Sequence, residues 1–162
     1  MARRKLPYRN GSIVQVPLGG GAVAFGVCAR HDGRGRMLVY FFLKRTPVLV
    51  AEQAVLVARV GDLGLLEGQW QVVGTVDDFA PERWPVPLFR CYQDPPGRWV
   101  VRDYNDKLER VNKEVRVTAA EVEGLPDDGL YGSEAAVIEL QGLARRIGRP
   151  TKPPTPRRRA AA

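Results

Sequence analysis

A single histidine, two cysteines and no long apolar run set the first limits on this chain of 162 residues. A transition-metal site draws on clustered His, Cys, Asp or Glu, and one histidine with two distant cysteines does not make one. Cys28 and Cys91 lack CxxC spacing, so two buried reduced thiols are expected rather than a disulfide. The longest apolar run, Met37 to Leu43, falls short of the ~18 residues that cross a bilayer and suits a buried strand. No apolar signal region follows the basic start Met1-Ala2-Arg3-Arg4-Lys5-Leu6-Pro7, so the expected location is the cytoplasm.

Catalytic signatures are equally scarce. His31 stands at a strand end beside a turn, the place of a solvated side chain rather than a general base. Ser12 and Ser133 fit a strand start and a helix N-cap, not a nucleophile elbow. Gly19-Gly20-Gly21 lacks the lysine of a phosphate-binding loop and precedes a strand, so it reads as a hairpin turn. Asp127-Asp128, between Pro126 and Gly129, also reads as a turn. Asp77, Asp78 and Glu82, and likewise Asp103 and Asp106, read as exposed acids with nothing to raise their pKa. The expectation is no enzyme, no cofactor and no metal.

The net charge of +7 is unevenly placed. Residues 1–10 carry four positive charges and residues 145–162 carry seven, with no acid in either segment. Between them eighteen acids face fourteen bases, leaving an acidic domain with two basic tails. The organisation read from this is a disordered basic leader at 1–10, one domain at 11–148, and a disordered Pro/Arg-rich tail at 149–162. The tails allow an alternative role, a nucleic-acid-associated accessory protein acting through them. Aromatic residues for base stacking are nearly absent from both, and the acidic domain would be repelled.

The domain opens with a hairpin, Ser12–Leu18 and Ala22–Arg30, with Val14, Val16 and Leu18 on one face. Pro17 cannot donate a ladder bond and predicts an edge, at least locally. Met37–Leu43 is apolar on both faces and belongs at the sheet centre. Residues 47–55 read as ambiguous, with a short helix as one option; 55–60 and 70–76 read as strands; 88–92 and 99–104 form a second hairpin closed by Asp94-Pro95-Pro96-Gly97. A helix is predicted from Ser133, with Ala136, Leu140, Leu143 and Ile147 as its apolar stripe and Gly148 and Pro150 as its stop. The fold class is α+β and mostly β: a single twisted antiparallel sheet or partly closed barrel with one C-terminal helix packed on it.

What remains is a surface for protein recognition. The irregular stretch 77–94 sets Asp77, Asp78, Glu82 and Asp94 among Phe79, Trp84 and Phe89. Aromatic side chains anchor a partner and acids steer a basic one. Asp77, Asp78, Glu82, Trp84 and Asp94 are therefore the candidate contact residues, while Phe89 is better placed in the core.

The opening hairpin, Gly11-Ser12-Ile13-Val14-Gln15-Val16-Pro17-Leu18 to Ala24-Phe25-Gly26-Val27, resembles the start of the immunity protein 26 family of bacterial polymorphic toxin systems. The resemblance continues at Gly68-Gln69-Trp70-Gln71-Val72-Val73-Gly74, at Pro87-Leu88-Phe89-Arg90 and at Trp99-Val100-Val101-Arg102-Asp103-Tyr104, covering roughly 11–104, with a looser match at the terminal helix. The chain departs from the family's pattern at 44–67 and in the tails. The resemblance implies a cytoplasmic, non-enzymatic antidote that binds its cognate toxin tightly and noncovalently. An acidic domain suits a toxin that is a basic nuclease.

Overall fold

The protein is described by a computed structural model over residues 5–111 and 114–147. The first four residues and the expected tail at 149–162 lie outside this range.

Strands β1 (Ser12–Gly19) and β2 (Ala22–His31) form the opening hairpin. Its turn places Gly19, Gly20 and Gly21 at φ of 88°, 62° and 81°, a left-handed run that only glycine adopts without strain. β3 (Arg36–Phe42), β4 (Leu56–Gly61), the short helix α1 (Leu63–Leu66) and β5 (Gln71–Thr75) follow. Then come β6 (Phe89–Gln93), β7 (Arg98–Arg102), β8 (Val115–Val117), β9 (Leu130–Tyr131) and helix α2 (Ser133–Ile147). The ambiguous segment 47–55 contains only a single 3₁₀ turn, Ala51–Gln53.

The strands divide between two sheets. Six run in the order β5-β1-β2-β3-β4-β9 and three in the order β6-β7-β8. All pairs are antiparallel except β4 with β9. Pro17 pairs with Val23 of β2, but β5 reaches only Ser12–Gln15, so the proline stands where β1 is locally an edge. The barrel option is not realised among the described residues.

Both faces of the large sheet are covered, which explains the unbroken apolar run of β3. Val14, Val16, Met37, Val39 and Phe41 pack with Trp70 and with Ala136 and Leu140 of α2. Val27, Leu38, Tyr40 and Phe42 pack on the other face with Trp84, Phe89, Tyr104 and Leu108. Phe89 and Tyr104 thus bring the small sheet onto the large one. In α2, Ala136 and Leu140 are buried and Leu143 is partly so, but Ile147 is 61% exposed beyond the covered area. Ser133 is the first residue of α2, and its hydroxyl accepts from Gly64 N at 2.8 Å, tying the helix start to α1 rather than capping its own turn.

Two residues of the segment before β1 reach the core. Leu6 packs on the core, Tyr8 is 5% exposed, and its hydroxyl donates to Asp62 Oδ2 at 2.8 Å. An aromatic ring with a buried acceptor for its hydroxyl is a sufficient anchor, and a basic composition around it does not prevent that.

Gly26 sits where β1, β2 and β3 press together. A Cβ there would stand 2.6 Å from Val39 Cγ1 and 3.0 Å from Val14 Cγ2. Gly26→Ala is expected to lower the unfolding free energy by ~1–3 kcal/mol, the cost of overpacking a filled core. Urea unfolding reads this directly; a variant as stable as the parent would mean that the two valines move aside freely.

Candidate protein-binding site

The acidic connection 77–88 between β5 and β6 is held down by two buried side chains. Trp84 is 3% exposed and meets Tyr40 and Phe42 edge-to-face, with ring centres 5.3 and 6.1 Å apart. Tyr40 also donates its hydroxyl to Pro85 O. Arg30 of β2 is 6% exposed, and its guanidinium donates to Trp84 O at 3.2 Å, to Pro81 O at 3.3 Å and to Ala29 O at 2.8 Å. Its Nε reaches Asp106 Oδ1 at 2.9 Å, the partner acid being 81% exposed. A β-bulge between Cys28 and Arg30 shifts the register at this point. One cation therefore satisfies carbonyls at both ends of the Pro81–Arg83 turn.

Asp77, Asp78 and Glu82 are exposed on this pinned connection. Asp94 is exposed too, but on the β6–β7 turn, a separate place in the fold. The candidate acids are thus three on one loop and one on a hairpin tip. Trp84, the fifth candidate, has its ring in the core, where it supports the loop from beneath. Phe89 is fully buried, as expected.

Exposed aromatic surface is found elsewhere, on the hairpin that carries Asp94. Cross-strand partners Tyr92 and Trp99 have ring centres 5.1 Å apart, and Arg90 lies over Trp99 at 5.6 Å. Register puts Val101 and Val115 beside Arg90, on the same face, and Tyr92 and Val115 are each 55% exposed. Tyr, Trp and Arg are the residue types that dominate binding hot spots. Strand alternation carried this signal, since Tyr92 and Arg90 stand two apart.

Asp128, read from sequence as a turn residue, is the hub between the sheets. Its side chain is 1% exposed. It accepts from Arg59 Nη2, Arg102 Nη1 and Tyr104 Oη, each at 2.7 Å. Arg59 comes from β4 and Arg102 from β7, so one carboxylate joins the large sheet to the small one. Burial alone would raise its pKa, but the hydrogen bonds from Arg102 and Tyr104 and the charge of Arg59 outweigh this and hold it below the usual value. Arg102 also binds Glu114 Oε1 at 2.7 Å; this bond and one from Gln93 hold Glu114 low as well. Arg59 stacks over Tyr104 at 4.2 Å, and its Nε is enclosed without an acceptor among the described residues.

Beside this hub lies a cleft of about 1100 Å³ between the β2–β3 turn and the segment after β7. Arg34, Arg36, Arg59, Arg102, Lys107 and Arg110 line it, against Asp32, Glu109 and Asp128. His31 lines it too, half-buried, edge-to-face with Tyr8 at 5.3 Å and accepting from Gly33 N at Nδ1.

Among the described residues, no group of three or more His, Cys, Asp or Glu could hold a metal ion. Burial pushes the Cys28 thiol up to about 12, leaving it protonated and unreactive at neutral pH. Cys91 is only half-buried, and both cysteines are free. No helix among the described residues is long and apolar enough to cross a membrane.

A family model described as Immunity protein 26 matches residues 9–95, which runs from the start of β1 to the end of β6 and takes in the acidic loop and Asp94. No curated protein and no solved structure gives a match.

Proposed function

Because the chain belongs to the immunity protein 26 family, we propose that it acts in the cytoplasm as the antidote to one cognate polymorphic toxin, by noncovalent binding and without catalysis. The observation that carries the reading is the pinned acidic loop. Arg30 and Trp84 fix the connection that exposes Asp77, Asp78 and Glu82, so little ordering entropy is lost when a partner docks. Acids on a rigid loop steer a basic toxin surface, such as that of a nuclease, and speed its capture. Asp94 and the neighbouring Tyr92 and Trp99 supply a second acidic and aromatic contact on the β6–β7 hairpin.

The test is co-expression of the full-length chain with the toxin domain encoded beside it. Growth should be restored, and the purified pair should form a one-to-one complex with the toxin's mass unchanged. Continued toxicity in the presence of soluble chain would overturn the reading.

Charge reversal tests the site separately. Asp78 has φ of 49°, a left-handed position that Asn tolerates, so the variant of choice is Asp77→Lys with Asp78→Asn. Association with the toxin should slow by about tenfold at low salt, with the difference shrinking as salt rises. Equal association rates would remove these acids from the interface and leave the antidote role standing.

A further inference from the structure

We propose that the cleft between the two sheets binds an acidic peptide segment of the partner protein. This deepens the antidote reading by naming a second contact of opposite sign to the acidic loop. Its charges are the first argument. Arg34 and Lys107 have no acidic partner among the described residues, and Arg36 reaches Asp32 only at 4.0 Å. The carboxylates of the lining are already engaged. Asp32 Oδ1 accepts from Arg34 N and Arg36 N, Asp128 holds Arg59 and Arg102, and Glu109 accepts from Asn105. Cations stand free on both walls while the acids serve the fold.

Size and composition then select the ligand. A volume of about 1100 Å³ exceeds what a lone anion fills and lies just above the usual range of small-molecule pockets, ~300–1,000 Å³. Leu6, half-buried, adds an apolar patch that a polyphosphate does not use. The three carboxylates in the lining repel a dense polyanion but tolerate a peptide whose acids are spaced by neutral residues. Nucleic acid lacks a stacking platform here, since Arg59 already covers the Tyr104 ring. Residues 1–10 and 145–162 are excluded as occupants by charge, because they contain no acid.

His31 provides a site-specific readout, because it is the single histidine of the chain and lines the cleft. Untagged full-length protein would be titrated with an octapeptide of alternating glutamate and glycine while the His31 ring resonances are followed by NMR. They should shift saturably, and Arg34→Ala with Lys107→Ala should weaken binding by about tenfold with both tails intact. Binding that leaves the His31 signals unmoved would place the peptide on the basic tails and overturn the proposal. Inorganic tripolyphosphate moving those signals as strongly as the peptide would make the cleft a phosphate site and overturn it too. So would oligomerisation of the parent protein that Arg34→Ala abolishes, since the occupant would then be a second copy's acids. The titration uses no toxin, so its failure and that of the antidote reading are read independently.

Discussion

Asp128→Ala is expected to lower the unfolding free energy by ~3–5 kcal/mol, the cost of removing one partner from a buried ion pair. The loss does not fall evenly on the two arginines. Arg102 keeps Glu114 at 2.7 Å. Arg59 keeps no acid among the described residues, although its side chain is only 12% exposed and stacked on Tyr104. The Tyr104 hydroxyl loses its acceptor as well. Urea unfolding of Asp128→Ala should therefore show a large drop at pH 7. Pairing Asp128→Leu with Arg59→Met should recover part of it, because no stranded charge remains.

The same carboxylate fixes a pH dependence. Its folded pKa is depressed, so the unfolded state takes up the proton first as pH falls. Its contribution is full above the unfolded value of ~3.9 and disappears as pH drops through the folded one. Glu114 acts in the same direction. The stability gap between parent and Asp128→Ala should be widest at neutral pH and narrow below about pH 4. A gap independent of pH would show that the effect is one of packing rather than of the ion pair.

Trp84→Ala is the second large effect, ~3–5 kcal/mol for emptying a buried indole site. The cavity would open under Tyr40 and Phe42 and loosen the loop whose backbone Arg30 holds. Under the proposed antidote role, toxin affinity should fall with it through the loosened loop. Trp84→Phe separates the two roles. It keeps most of the apolar contact, so affinity should stay close to the parent while thermal stability drops modestly. Affinity lost in Trp84→Phe at full stability would mean that the indole is itself a contact.

Local periodicity made much of the fold legible. The alternation of Val14, Val16 and Leu18, the two-faced run of β3 and the stripe of Ala136 and Leu140 each report one element's surroundings within a few residues. What stayed hidden depends on residues far apart in the chain. Arg30 looks like a polar strand end until Pro81 and Trp84 are brought over it, fifty-one and fifty-four residues later. Asp128 sits in a Pro-Asp-Asp-Gly turn, and only the meeting of β4 and β7 buries it. Trp84 lies among prolines and acids, which describe its neighbours in sequence and not the Tyr40 ring beneath it. Two-residue β9 has too few side chains to show any period. The antidote family was legible because its signature falls within β1 to β6, where local pattern dominates.

The last of the described elements close the first. β9 and α2 begin at residue 130, yet β9 completes the sheet beside β4 and α2 covers the face bearing Val14 and Phe41. During synthesis those earlier strands leave the ribosome with one apolar side bare, and they stay so until α2 emerges. A nascent or prematurely terminated chain would present that side to chaperones and proteases rather than to a toxin. Under the proposed antidote role, protection would thus begin only once α2 has been made, so the time needed to translate as far as residue 147 sets a minimum delay between the message and binding.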